Sequence, residues 1–536
     1  MGAYLRALRA LVLLAGFYLL GLVLLAVLAG LDWVLITQAD AGALTGKVVI
    51  VSVVLAVPIV RGMFMLRTPK AGPAPGVRVT EQQEPRLWAA VRELADQVGT
   101  RAPDEIVLVD EVNAAVAEDA RLLGLLGGKR TLYLGVPLMT GLDETQLRAV
   151  LGHELGHYSN SDTRMMPLIV RGRAQLVRTI EHFHERADNK VAKEAARQEK
   201  AAEKRIAKGK KAKEVDTTGV GATYRTMAKI YTAYGNFYLR ATRSADRRQE
   251  FAADLTAARI CGRDAYASAL RELNALGPAH TFYLDSYATL GLGAGLLPRP
   301  GEFFGGFGAL LAARTEELDE LRQDLPTEPA SAYDSHPPLA ERVARIEALP
   351  EDGRASGGVG AAGPALGLLS DPVGVLIALE QEVLTPEALA LTRMDWEDLV
   401  HASMSRYVAQ GAEDIRETVS AEAGDGTLPA LLDAIDADPA VLWRIADRFP
   451  KSEEAAAATG RAARAFARPI VRRALNQLVT VELTARGAAR WQLSWAESAS
   501  VRYPADGFEE QLLLALDAAV ADLPDTEPLR KLVLAS

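Results

Sequence analysis

Cysteine is almost missing from this sequence: Cys261 is the single thiol among 536 residues. No disulfide can form within the chain, and a thiolate cage around a structural zinc is excluded. That usage fits a reducing compartment. Positive charge is not in excess either. The formal net charge is −9, so the electrostatic footprint of a nucleic-acid binder is absent and no nucleic-acid partner is expected. No internal repeat is visible, and the length suggests more than one domain.

Charge is locally absent as well. From Ala10 to Leu31 no side chain is charged, and Leu, Val and Ala dominate. Such a run is long enough to cross a bilayer and too long for a cleaved signal, and no clear small-residue cleavage site follows it. A second apolar segment runs from about Gly46 to Leu66. Its uncharged part, Val48 to Val60, is short, so Lys47 and Arg61 would have to reach toward headgroups. A buried or interfacial helix is the competing reading of this segment. Arg6 and Arg9 precede the first run, Arg61, Arg67 and Lys70 follow the second, and Asp32 and Asp40 lie between. The positive-inside bias then predicts a multi-pass plasma-membrane protein with both ends of the hairpin, and the rest of the chain, in the cytoplasm. The lipid bilayer is one expected partner.

The expected organisation is a transmembrane helical hairpin over residues 1–67, with spans at about 10–31 and 46–66. A domain at 78–350 follows, with a charged insertion at 185–214. Lys208, Lys210, Lys211 and Lys213 in that insertion read as solvated charge, with contact to anionic lipid as the sharper alternative. The run EDGRASGGVGAAG (Glu351–Gly363) reads as a linker. A mostly helical region, 364–536, completes the chain. It shows no catalytic pattern, and its partner is not readable. Alternation in LVTVELT (Leu478–Thr484) and WQLSW (Trp491–Trp495) predicts a small sheet there. Within 78–350, Leu87, Trp88, Val91, Leu94 and Ala95 recur at helical spacing. Ile106–Asp110 and Arg130–Val136 read as strands, and residues 223–262 as one long helix. Asp143 and Gln146 have capping-box spacing ahead of another helix. The Gly-rich segment Gly291–Gly308 reads as a loop that could lip a cleft.

HELGH, at His153–His157, is the strongest chemical signal. Four residues apart on a helix, His153 and His157 share a face and can hold one Zn²⁺. Glu154 is offset around the helix, placed to act on a water as general base without occupying the metal. A catalytic zinc needs a third protein ligand. The metzincin continuation is absent, since YSNSDTRMMP follows His157, and the inverted HxxEH motif is absent too. A carboxylate from a later helix remains. Glu250 and Asp254, in RRQEFAADLTAA (Arg247–Ala258), are again four apart. Glu250 can ligate, and Asp254 can accept a hydrogen bond from a ligand imidazole. Ala252 and Ala253 leave room for close helix packing. Tyr158 beside the motif reads as core packing. His182, His184, His280 and His401 read as surface or structural residues rather than a second metal site.

At these residues the chain resembles the HtpX-like and CAAX-prenyl-protease-like integral-membrane zinc peptidases, over roughly Pro85–Ile346. The matching segments are VLGHELGH (Val150–His157), RRQEFAAD (Arg247–Asp254), SHPPLAERVARI (Ser335–Ile346) and VNAAVAE (Val112–Glu118). The last is similar to the family's Asn-Ala segment, which precedes the edge strand. The resemblance implies that His336 faces the cleft and stabilises an oxyanion, that Arg342 orients the site, and that Asn113 lies near the substrate backbone. The fold it implies is a predominantly helical α+β gluzincin-type domain with a small edge-strand sheet. HtpX-like members usually have two more spans between the metal motifs. Here Arg171, Arg173, Arg178, Arg225, Lys229 and Arg240 argue against spanning.

The expected activity is zinc-dependent hydrolysis of peptide bonds in membrane or membrane-adjacent proteins, with one Zn²⁺ per chain. An extended substrate is expected to add to an edge strand near Arg130–Val136. The alternative is a membrane-tethered scaffold with a mainly structural zinc domain.

Overall fold

A computed structural model describes residues 2–38, 43–64, 75–118, 128–158, 166–206, 211, 215–328, 336–351, 363–450, 452, 454 and 457–534. The chain is mostly helical with small sheets. By contact it forms two units, and they are not consecutive in sequence. The first comprises Met1–Gly277 and Asp319–Pro372, the second Pro278–Leu318 and Val373–Ser536.

The first unit opens with α1 (Gly2–Gln38) and α2 (Ala43–Phe64). The Ala15–Thr37 stretch of α1 is the one helix, among the described residues, long and apolar enough to cross a membrane. Thr45–Val57 in α2 is apolar but shorter. Strand β1 (Val77–Val79), α3 (Pro85–Val98), β2 (Glu105–Val109), β3 (Ala114–Glu118), β4 (Arg130–Gly135) and α4 (Val136–Gly141) follow. Then come α5 (Glu144–Gly156), α6 (Met166–Ile206), α7 (Ala222–Cys261) and α8 (Arg263–Tyr283). The sheet order is β1-β2-β4-β3. β2 and β4 pair in parallel, while β1 and β3 pair antiparallel to their neighbours.

That order corrects one expectation. β4, the Arg130–Gly135 strand, is flanked on both sides, so its backbone groups are consumed by β2 and β3. Among the described residues the open edge beside the site is β3, within the very segment expected only to precede an edge strand.

The expected amphipathic face of α3 is buried at Leu87, Trp88, Val91, Leu94 and Ala95. It packs with α5, whose start carries the expected capping box. The Asp143 carboxylate accepts the Gln146 N–H at 2.7 Å, and the Gln146 side chain accepts the Asp143 N–H at 3.0 Å. Helices α6 and α7 form an antiparallel pair. Their charged residues Arg225, Lys229 and Arg240 are exposed, while Leu176, Ile180, Phe183, Tyr224, Met227 and Tyr231 are buried against Phe17 of α1 and Ile59 of α2. An amphipathic pair thus takes the place of a second apolar pair. In the charged insertion, Lys211 is exposed; Lys208, Lys210 and Lys213 lie outside the described residues, as does most of the expected linker.

After α9 (Glu302–Ala313) and α10 (Thr315–Gln323), α11 (Leu339–Glu347) returns to the first unit. The second unit has its own apolar core, built around Leu431, Leu442, Ile445, Leu475, Leu478 and Leu516. The Gly291–Gly308 segment, read as a loop, forms a 3₁₀ turn, a short strand (Leu296–Pro298) and part of α9 within this unit. The sheet expected from Leu478–Thr484 is also corrected. Residues Gly460–Ala485 are one helix, and Arg490–Gln492 pairs with Ser500–Arg502. Leu475, Leu478, Val479 and Leu483 suit a helix face as well as a strand, and the helix wins because they share one buried stripe.

Candidate metal centre

Two small-residue contacts set the distance between the motif helices. A side chain at Gly156 would lie 3.3 Å from Ala253 Cα, and one at Gly152 3.7 Å from Ala257 Cα. α5 and α7 therefore touch nearly backbone to backbone, with Ala253 where room was expected. Glu250, one turn before Ala253–Asp254, is thereby carried up to the two imidazoles.

The donor atoms of His153, His157 and Glu250 lie within 4.8 Å of one another. His153 Nε2 and His157 Nε2 are 3.2 Å apart. Glu250 Oε2 is 3.7 Å from His153 Nε2, and its Oε1 is 3.7 Å from His157 Nε2. Ligand atoms sharing one tetrahedral zinc are separated by about 3.3–3.5 Å, so these side chains stand within a few tenths of an ångström of the spacing that ion needs. Two nitrogens and one carboxylate oxygen are also the donor set that leaves a position open. Burial and the neighbouring His153 push the His157 imidazole down to about 4, toward the neutral form that a ligand needs. Among the described residues no second such group occurs. His401 accepts the Trp491 N–H at 3.2 Å, and His280 packs edge-on against Phe307.

Behind the imidazoles lies a buried polar knot. Asp254 Oδ1 is 3.0 Å from His153 Nδ1. Arg342, delivered by α11, donates to both carboxylate oxygens of Asp254, at 2.6 and 3.1 Å. Burial alone would raise the Asp254 carboxyl. The His153 bond and the Arg342 guanidinium instead hold it well below the usual range. α11 is seated by buried Val343 and Ile346, and by Arg345 stacked over Phe251 at 3.7 Å.

The sequence reading missed one member of this knot. Tyr266 of α8 donates to Asp254 Oδ1 at 2.6 Å, accepts from Arg342 at 2.7 Å, and lies 2.9 Å from His153 Nδ1. With Nε2 turned to the metal face, His153 Nδ1 carries its proton toward Tyr266 and Asp254, and both Asp254 oxygens and the Tyr266 hydroxyl have partners. Tyrosine inside an apolar helical pattern reads as core, and nothing in its spacing marks it.

Glu154, Asn113, His336, Arg342 and Tyr266 line one cleft of about 420 Å³ together with His153. Burial raises the Glu154 carboxyl above its ordinary value. His336 is half-exposed, with Nδ1 2.6 Å from Glu250 Oε2. Burial lowers its pKa, but the Glu250 carboxylate outweighs this and carries it above the ordinary histidine value. Of the residues singled out from the sequence, Asn113, His153, Glu154, His336 and Arg342 line this cleft, while His157, Glu250 and Asp254 contact members of that set without lining it.

A family model for peptidase family M48 matches residues 81–349. The chain belongs to peptidase family M48. A Protease HtpX homolog of Methanothermobacter thermautotrophicus is 35% identical over 91 residues, 17% of this chain and 33% of that protein. A Protease HtpX homolog of Verminephrobacter eiseniae is 27% identical over 267 residues, 49% of this chain and 81% of that protein. No solved structure gives a significant match. By family, then, this M48 protein is an HtpX-like metallopeptidase, and its matched region contains both metal motifs and α11.

Proposed function

We propose that the chain is a membrane-anchored, zinc-dependent endopeptidase acting on membrane or membrane-adjacent proteins. The observation that carries this reading is the convergence of His153, His157 and Glu250 at ligand spacing, with Glu154 on the wall of an open cleft. Zinc held by those side chains supplies Lewis acidity, polarising the scissile carbonyl and making water easier to deprotonate.

The chain's own residues do the rest. Glu154 takes a proton from the attacking water and returns it to the leaving amine nitrogen. Its raised pKa suits a group that must hold that proton between the two steps. His336, partly exposed in the cleft, donates to the oxygen on which charge develops. Asp254, Tyr266 and Arg342 fix the His153 ring. An extended substrate adds to the open edge of β3, with Asn113 beside its backbone. Helices α1 and α2 cross the plasma membrane as a hairpin, with the remaining chain in the cytoplasm.

Glu154→Gln tests the chemistry. The full chain should retain zinc and lose cleavage of casein, and it should trap uncleaved proteins in native membranes. Cleavage at the wild-type rate would exclude this mechanism. A scaffold with a purely structural zinc would be indifferent to the substitution, because such a site has no use for a carboxylate beside the ligands.

A further inference from the structure

The open edge of β3 is not free along its whole length. Gly135 N–H donates to Asn113 O at 2.8 Å, which fixes the alternation of the β3–β4 ladder. Residues 113, 115 and 117 bond to β4, so the backbone groups of Ala114, Val116 and Glu118 face the open side. Ala114 lines the cleft with Asn113, His153 and Glu154. Two residues on, the outward carbonyl of Val116 already has a partner: Tyr158 Oη donates to it at 2.5 Å.

Tyr158 is held in that place. The Arg130 guanidinium lies over its ring, 4.6 Å from the centroid. Arg130 is itself tied to Glu118 at 3.1 Å, to Thr100 Oγ1 at 3.0 Å and to the Arg101 carbonyl at 2.8 Å. Thr100 Oγ1 also reaches the Tyr158 carbonyl at 3.4 Å. The phenol therefore stands across the strand edge as a fixed stop, directly after the second imidazole of the metal motif.

We infer that Tyr158 ends the substrate-pairing edge at Val116 and so limits how much extended chain the cleft reads on that side. This deepens the peptidase reading and rests on it. An incoming strand can exchange both backbone bonds with Ala114. At Val116 the acceptor that its next N–H would need is occupied, and the ring stands in the path beyond. Tyr158 acts on the reach of recognition, not on the bond-breaking step.

The test uses the full chain in detergent with zinc. The probes are internally quenched peptides built on a mapped β-casein cleavage site and lengthened one residue at a time from each end. For wild type, kcat/KM should stop rising within the first few residues on one side. For Tyr158→Ala it should keep rising on that side, by roughly threefold or more for each restored backbone bond, mainly through KM. The shortest peptides should be cleaved alike by both. Should Tyr158→Ala not fold, Tyr158→Leu, which replaces the phenol with a shorter aliphatic side chain, is read the same way. An identical plateau in wild type and variant overturns the assignment of Tyr158. Wild type that cleaves no peptide at any length overturns the peptidase reading beneath it.

Discussion

Asp254 and Arg342 meet as a buried two-bonded pair, with Nη2 to Oδ1 at 2.6 Å and Nε to Oδ2 at 3.1 Å. The pair stands directly behind His153 and fixes the orientation of its ring. A lysine cannot reproduce the fork. Arg342→Lys should weaken zinc binding by roughly 10–100-fold, the range for loss of a partner to a ligand histidine. Competition with a zinc chelator measures it. Unchanged affinity would show that the pair serves the fold alone.

Tyr266→Phe removes the hydroxyl that joins Asp254, Arg342 and His153 while leaving the ring in place. Asp254 loses a donor in a buried setting, which costs about 1–3 kcal/mol. Denaturant unfolding of the full chain should show a lower midpoint with an unchanged slope. Stability equal to wild type would mean that the phenol is not part of the knot.

His336 lies 2.6 Å from Glu250 and is half-exposed in the cleft. It is not one of the three clustered donors. His336→Ala should therefore keep its zinc while kcat falls roughly 10²–10³-fold, the usual effect of losing one oxyanion donor. Loss of the metal in this variant would instead make His336 a support for Glu250.

Much of this was legible in one dimension because it is local. The HELGH turn, the Glu250–Asp254 turn, the capping box and the α3 stripe each depend on residues within a few positions of one another. The room that Ala253 leaves for close helix packing was legible too, whereas its partner Gly156 was not. What the spacing did not disclose depends on pairing between distant segments. The position of β4 inside the sheet follows from β3 folding back onto it, so the open edge fell to Ala114–Glu118. Tyr266 and Tyr158 each look like core tyrosines until their hydroxyl partners are seen. The alternating run at Leu478–Thr484 suited two periods at once. Pro278–Leu318 joins the second unit although no composition break marks it.

The central claim is that three side chains, from α5, from its C-terminal cap residue His157 and from α7, hold one zinc ion. Elemental analysis of purified full-length chain after dialysis addresses it directly. Wild type should retain about one zinc per chain, the capacity of a single three-ligand site, while Glu250→Gln, which has lost its anionic donor, should retain little. Equal zinc in both proteins would contradict the claim.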